Sequence, residues 1–381
     1  MGFALFKNRR LFNLCMAQRI IIHCDLDAFY ASVETLHHNL DPEVPLILGS
    51  DPKEGKGRGI VSTCNYAARK FGIRSAMPIG EAWRRCPGPP HGPGNYLKST
   101  RGLYSRASRK VMSILSENAD KFEQASIDEA YLDVTEYCDE DWDLALAFAG
   151  HLQNRILEEV GLSASFGIGS TRIIAKMGSE ENKPGGVHRT LPDQLESFFN
   201  KRPVREIPGI GPKTATKLAE WGITNMSEVS EFGEIAIARF TSERFASWLQ
   251  RVLDGDTSDE VSPLRSRKSI GKENTFEYDQ TDSELVLSHL SNLVTKVMKR
   301  AREIGVSGRL GEVKIRYQGF ETHTYGKSIP VAMDDVSVFL RLSHSLFAEN
   351  VEFERPIRLI GFRLGNLEME STRQSTFDFD E

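Results

Sequence analysis

The sequence predicts an α+β fold divided into several parts, and three observations carry that prediction. Strands and amphipathic helices alternate through the N-terminal half, beginning with the run Ile20-Ile21-Ile22-His23-Cys24-Asp25. From about residue 191 the pattern turns helical, with a Gly-x-Gly at 209–211 between short helices. A polar, turn-rich stretch at 254–263 then separates this region from a C-terminal segment where strands and helices alternate again. At about 150 residues per domain, 381 residues divide into roughly two to four domains.

Each element follows from its local pattern. Three consecutive β-branched residues run into Asp25, a buried strand ending on a carboxylate. Phe29, Val33 and Leu36 fall at helical spacing and start a helix after Asp27, which can serve as its cap. Residues 46–48 form a short strand, and 60–64 a strand leading into a helix over 65–71, where Tyr66 and Arg69 share a face. Residues 86–94 hold four prolines and three glycines and must be loop. Leu103, Val111, Ile114 and Leu115 mark the next helix.

Residues 122–134 read as a hairpin turning on Asp128-Glu129. Tight two-residue turns favour Asn-Gly or Asp-Gly, so this pair breaks the local rule, and such breaks concentrate at functional sites. A looser turn with both acids in water is the alternative. A long amphipathic helix over 142–160, a strand over 163–169 and a helix opening at 173–177 follow. The turn at 182–186 holds Lys183 between rigid neighbours. Beyond the stretch at 254–263, strands are expected at 269–277, 312–317 and 357–364, with helices at 285–304 and 336–347.

Charge and cysteine usage narrow the function. The formal net charge of −5 disfavours a polyanion partner for the chain as a whole. Residues 262–330, however, carry twelve basic and eight acidic residues, which suits a phosphate-backbone footprint on one part. Five cysteines without paired metal-type spacing point to a reducing cytoplasm, and no apolar run is long enough to span a bilayer. Residues 1–17 read as a dispensable extension, with Met16 as the natural start.

Asp25, Asp128 and Glu129 on one sheet form an oxygen-donor set for two divalent cations, and Mg²⁺ takes one or two carboxylates plus substrate phosphates. Two such ions about 4 Å apart activate an attacking hydroxyl and neutralise a leaving pyrophosphate. Arg69, Lys183 and the Tyr66 hydroxyl are the positive or donating groups for a triphosphate. The glycines at 209 and 211, followed by Lys213, suit a helix-hairpin-helix that lets backbone amides approach a phosphate; a plain helical turn is the competing reading.

Asp25-Leu-Asp-Ala-Phe-Tyr30-Ala-Ser-Val-Glu, Asn65-Tyr66-Ala-Ala-Arg69-Lys70-Phe-Gly, Ser126-Ile-Asp128-Glu129-Ala-Tyr-Leu-Asp and Lys183-Pro-Gly-Gly together resemble the Y-family DNA polymerases of the DinB (DNA polymerase IV) type. The resemblance spans residues 18–365, and the motifs arrive in the family's order. It implies a palm at 18–28 and 95–185 with a mixed sheet and helices, and small fingers at 29–94. A helical thumb with the hairpin motif follows at 186–254, then a linker at 255–262 and an α+β little finger at 263–366. In this resemblance Asp25, Asp128, Glu129 and the Leu26 carbonyl hold two Mg²⁺ ions, or Mn²⁺ in their place. Phe29, Tyr30, Thr63, Tyr66, Arg69 and Lys183 bind the nucleotide. Tyr30 falls at the steric gate against the ribose 2′-hydroxyl, and Gly209, Gly211 and Lys213 grip DNA.

The implied activity is low-fidelity, template-directed addition of dNTPs to a primer during lesion bypass, by a cytoplasmic monomer on primer–template DNA. In the tail at 367–381, Gln374, Phe377 and Phe379 resemble a sliding-clamp-binding peptide. The alternatives are a non-catalytic DNA-repair binding module, which the intact acids disfavour, and a nucleotide cyclase on a similar palm, which the hairpin motif and basic segment disfavour. The histidines, including His23, show no ligand spacing and read as packing or surface groups.

Overall fold

The computed structural model describes residues 19–369 except 118, 201, 257–259, 264–266 and 353. The extension at 1–17 and the tail peptide Gln374, Phe377 and Phe379 lie outside the described residues. The chain divides into two compact units, one up to Leu264 and one from Arg265.

The first unit opens with β1 (Ile21–Leu26) and α1 (Phe29–His37), then β2 (Leu46–Gly49), β3 (Val61–Cys64), α2 (Tyr66–Arg69), α3 (Ile79–Arg85) and β4 (Asn95–Leu97). It continues with α4 (Leu103–Ser116), β5 (Lys121–Gln124), β6 (Glu129–Asp133), α5 (Trp142–Val160), β7 (Ala164–Gly169), α6 (Arg172–Glu181) and β8 (Val187–Arg189). A five-stranded mixed sheet has the order β5-β6-β1-β7-β8, and β2, β3 and β4 make a separate three-stranded sheet. β1 is central and antiparallel to both neighbours.

Alternation along β1 divides the sheet's two faces. Ile20, Ile22, Cys24 and Leu26 pack with Val111, Leu115, Phe148, Leu152 and Ile156 of α4 and α5. Each such buried side chain stabilises the fold by about 1.5–3 kcal/mol. Ile21, His23 and Asp25 occupy the other face, where Ile21 meets Tyr131, Ala175 and Val261. There α6 lies directly on β7 because residue 167 is glycine. A Cβ at Gly167 would stand 2.0 Å from the Ala175 carbonyl oxygen and 2.2 Å from the Ser179 amide nitrogen. This close approach brings Lys176 and Ser179 to the polar end of β1.

Residues 192–253 form a helical subunit with α7 (Leu195–Phe199), α8 (Pro212–Ala219), α9 (Met226–Phe232), α10 (Glu234–Ala238) and α11 (Glu243–Leu253), around Ile207, Ile210, Leu218, Ile223 and Leu249. The stretch read as linker is fastened to the sheet at its far end. Val261 is 1% exposed, and the Ser262 amide donates to the buried Glu123 carboxylate at 3.0 Å. Polar composition concealed that single apolar anchor.

The second unit contains β9 (Ser269–Gln280), α12 (Ser283–Glu303), β10 (Val306–Tyr317), β11 (Thr322–Met333), α13 (Val336–Asn350) and β12 (Ile357–Met369). The antiparallel sheet runs β11-β10-β12-β9. Val313, Ile315, Ile360 and Phe362 face Val294, Val297, Met298 and Phe339 of the two helices. Periodicity missed β11, an edge strand whose polar sequence contains Gly326 and Pro330; an edge tolerates both, and Pro there blunts pairing.

Candidate active site

Asp25 and Glu129 are cross-strand partners at adjacent ends of β1 and β6, and Asp128 immediately precedes Glu129. The Leu26 amide donates to the Asp128 carbonyl at 3.0 Å, tying the two chain segments together at this point. The hairpin differs from the expected two-residue turn. The strands stop at Gln124 and start again at Glu129, so four residues, 125–128, make the connection. Neither Asp128 nor Glu129 has a positive φ. Ser126 organises the loop instead: the amides of Asp128 and Glu129 donate to its Oγ at 3.1 and 3.0 Å, and its hydroxyl donates to the Asp128 carboxylate. The violated turn rule therefore does not apply here.

The three carboxylates are neighbours in the backbone, but their side chains face different partners. Asp25 Oδ1 is 2.7 Å from Lys183 Nζ, which also reaches Glu180 Oε1 at 2.6 Å. Glu129 Oε2 is 2.6 Å from Lys176 Nζ. Among the described residues no three acidic, His or Cys side chains converge as a metal cluster. The donor chemistry nevertheless suits hard divalent cations: three carboxylates sit at the ends of neighbouring strands, and lysine ammonium groups pair with two of them. Burial pushes the Asp25 carboxyl up to about 6, with Lys183 opposing the rise. His23 and Lys176 hold the Glu129 carboxyl down at about 2 against burial. Lys183 is held protonated by Asp25 and Glu180, which outweigh its burial.

His23 was read as packing, yet it belongs to this cluster. It is fully buried, its Nδ1 shares a 2.8 Å hydrogen bond with Ser179 Oγ, and its Nε2 stands 3.6 Å from Glu129 Oε2. Burial first, and the charge of Lys176 next, lower its pKa to about 4 and keep it neutral. Period-two spacing from Asp25 puts the two on one face, which was the available signal. Lys176 had none, since its reach depends on the close contact at Gly167.

Asp27 does not cap α1. Ala28 is left-handed, at φ 44° and ψ 42°, and the helix begins there with no side-chain cap. The Asp27 carboxylate turns inward, 3% exposed, and accepts from Ser163 Oγ at 2.6 Å, Ser165 Oγ at 2.8 Å and the Gly185 amide at 2.8 Å. Tyr66 OH approaches it at 3.4 Å. Asp27 thus binds the Lys183 loop to the first strand. Gly186 completes this closure, since a Cβ there would lie 2.1 Å from Asn182 Cβ.

The remaining predicted nucleotide groups lie on α1, α2 and β3. The first-turn amides of Phe29 and Tyr30 have no intrahelical partners. Tyr30 is half-buried, and burial followed by the charge of Asp128 raises its phenol pKa. The Arg69 guanidinium lies 4.5 Å from the Tyr66 ring centroid. Thr63 sits on β3 opposite Leu48, partly exposed.

Gly209, Gly211 and Lys213 belong to the separate helical core. Gly209 needs its positive φ of 104°, whereas a Cβ on Gly211, at the start of α8, would meet nothing within 4 Å. The element before the loop is a single 3₁₀ turn, Val204–Glu206. In the second unit Lys314 and Arg363 lie on the face opposite the helices, and each pairs with a glutamate there, Glu273 and Glu312. Its basic surplus is therefore not an unopposed stripe.

Comparison with known proteins decides the family. Residues 24–180 match the impB/mucB/samB family, 267–377 its C-terminal domain, and 192–223 the IMS family HHH motif. The DNA polymerase IV of Methanoculleus marisnigri is 37% identical over 364 residues, covering 94% of this chain and 98% of the relative. That of Listeria monocytogenes is 36% identical over 349 residues, covering 92% and 95%. The chain belongs to the Y-family DNA polymerases, of the DNA polymerase IV type.

Among solved structures, a Y-family chimera of Dbh and Dpo4 superposes with a TM-score of 0.83 at 27% identity, covering 92% of this chain and 99% of that one. DinB from Sulfolobus solfataricus gives 0.63 at 26%, covering 91% and 98%. The chain is accordingly a DNA-directed DNA polymerase of the lesion-bypass class, and the binding-module and cyclase alternatives are not favoured. Catalysis in such Y-family polymerases is metal-dependent. No helix among the described residues is long and apolar enough to cross a membrane.

Proposed function

We propose that this Y-family polymerase adds dNTPs to a primer 3′ end with low fidelity by two-metal nucleotidyl transfer, using Asp25, Asp128, Glu129 and the Leu26 carbonyl as the ligands of Mg²⁺ or Mn²⁺. The observation that carries the reading is the cross-strand pairing of Asp25 with Glu129, with Asp128 beside them and two lysines as counter-charges. The ions, when bound, activate the primer hydroxyl and neutralise the leaving pyrophosphate. Lys183, held by its loop, exchanges Asp25 for the triphosphate, and Arg69 and Tyr66 approach the same group from α2. Thr63 and the amides of Phe29 and Tyr30 complete the phosphate donors, and the Tyr30 ring excludes a 2′-hydroxyl.

In this reading residues 18–28 and 95–185 form the palm, 29–94 the fingers, 186–254 the thumb, 255–262 the linker and 263–366 the little finger. The substrates are primer–template DNA and dNTPs; structures of a related polymerase, Dbh, include an insertion ternary complex and a post-insertion binary complex. Gly209, Gly211 and Lys213 grip the DNA backbone, so the logarithm of affinity should fall linearly with the logarithm of salt concentration. The polymerase works as a cytoplasmic monomer, consistent with four buried free cysteines among the described residues. Gln374, Phe377 and Phe379 tether it to a sliding clamp, and deleting 374–381 should reduce only clamp-stimulated synthesis.

Primer extension on undamaged and abasic templates, with and without Mg²⁺, tests the proposal. Metal-dependent extension past the abasic site is expected. Extension without divalent ions, or a complete stop at the lesion, contradicts it.

A further inference from the structure

We infer that Glu34 and Tyr104 are positioning residues for sugar selection: they set the angle of the Tyr30 ring without touching the nucleotide. The inference rests on the reading of Tyr30 as the sugar gate. Tyr30 and Glu34 are four residues apart on α1 and therefore share a face. Tyr104, near the start of α4, closes a triangle with them. Its ring lies 4.3 Å from that of Tyr30, centroid to centroid, at 30°, and its hydroxyl donates to Glu34 Oε1.

Glu34 is a carboxylate with no exposed surface, in a place where solvation is lost and donors must replace it. Those donors are present. The Thr100 amide reaches Oε1 at 2.7 Å, the Thr100 hydroxyl reaches Oε2 at 2.9 Å, and His38 Nε2 lies 3.1 Å from Oε2. The Thr100 amide also reaches the Tyr104 oxygen at 3.2 Å. Neither the metal-binding reading nor the phosphate reading uses any of these groups.

The arrangement answers a mechanical need. α1 spans nine residues and starts from a left-handed Ala28 with no side-chain cap, so its own end does little to fix its orientation. Asp27 anchors the segment before it. Glu34 anchors the opposite end of the Tyr30 face, through Thr100 in the loop after β4 and through Tyr104. A steric filter discriminates by tenths of an ångström, so a ring free to tilt away loses selectivity even when it remains in place. Tyr104 supplies the surface that stops this tilt, and Glu34 holds Tyr104.

The test measures kcat/KM for a dNTP and for the matching rNTP on one primer–template with Mg²⁺, in wild type, Tyr104→Phe, Glu34→Ala, Glu34→Gln and Tyr30→Ala. The readout is the ratio of the two values. A general loss of folding or activity scales both substrates together and leaves it unchanged. Glu34→Ala should lower the ratio by about tenfold and Tyr104→Phe by a smaller factor, mainly through better rNTP use. Glu34→Gln keeps an acceptor for Tyr104 and should restore most of the selectivity. Adding Glu34→Ala to Tyr30→Ala should cause no further drop, because Glu34 acts through that ring.

If Tyr30→Ala opens the site to rNTPs while Glu34→Ala and Tyr104→Phe keep the wild-type ratio, the positioning role is overturned and the gate stands. If Tyr30→Ala itself leaves the ratio unchanged, the gate reading fails, and the positioning role fails with it.

Discussion

Replacing Asp27 with alanine is the sharpest probe of how this site is held together. The carboxylate receives three donors at 2.6–2.8 Å, two serine hydroxyls and the Gly185 amide. Hydrogen bonds to a charged group contribute about 1.5–3 kcal/mol each. The hydroxyls can rotate to other acceptors, and the Gly185 amide keeps a second contact to Ser165 Oγ at 3.1 Å, so the lower end applies. The expected loss is about 3–5 kcal/mol, the range seen when a buried charged network loses one member. Asp27→Asn keeps the shape and one good acceptor, and should cost roughly 1–2 kcal/mol. Urea unfolding followed by tryptophan fluorescence suits the question, because Trp83, Trp142, Trp221 and Trp248 all lie in the first unit. An Asp27→Ala protein within about 1 kcal/mol of wild type at an unchanged m-value would refute the reasoning, since the knot would then contribute little.

Two other outcomes follow from charge. Burial opposes ionisation of Glu34, but hydrogen bonds from Tyr104 and Thr100 outweigh it and leave its pKa below the ordinary 4.5. The unfolded chain therefore takes up this proton at a higher pH than the folded one. The stability from Glu34 is complete above about 4.5 and is lost as pH falls through the lower folded value. Glu34→Gln should flatten the acid limb of the stability profile, and an unchanged limb would count against it. Lys176→Met removes the ammonium 2.6 Å from Glu129, where both side chains are about a quarter exposed. Calorimetry should show divalent-ion binding tightened about fivefold, roughly 1 kcal/mol after solvent screening; weaker binding would contradict the competition of lysine with cation.

Much of this molecule was legible because period and punctuation coincide with its elements. The isoleucine run became the central strand, the 142–160 stripe became a helix that buries one face, and the stretch at 254–263 ends just before the boundary between the units. Asp25, Asp128 and Glu129 are neighbours in the backbone, but one reason for choosing the pair, a two-residue turn, proved mistaken. The register of β1 against β6 is what makes Asp25 and Glu129 neighbours, and pairing register is not written in either strand alone. Asp27 was misassigned because a cap and a buried acceptor use the same residue type, and here Ser163, Ser165 and the Gly185 amide take the carboxylate instead of the helix. Lys176, His23 and the Glu34–Tyr104 pair were missed because each acts across elements far apart in sequence. A glycine such as Gly167, with its missing side chain, decides such contacts as much as the partners do.

The proposed role of the acids at the ends of β1 and β6 is to hold the ions of a nucleotidyl transfer. Single-turnover incorporation of one dNTP with Mg²⁺, comparing wild type with Asp128→Ala, tests it most directly. Asp128 is the suitable position, since its carboxylate accepts from the nearby Ser126 hydroxyl and its loop is held by Ser126 and by the main chain. The expected loss in the chemical step is at least about a thousandfold, the scale on which metal ions stabilise transferring phosphoryl groups. A variant that incorporates within about tenfold of wild type would contradict it.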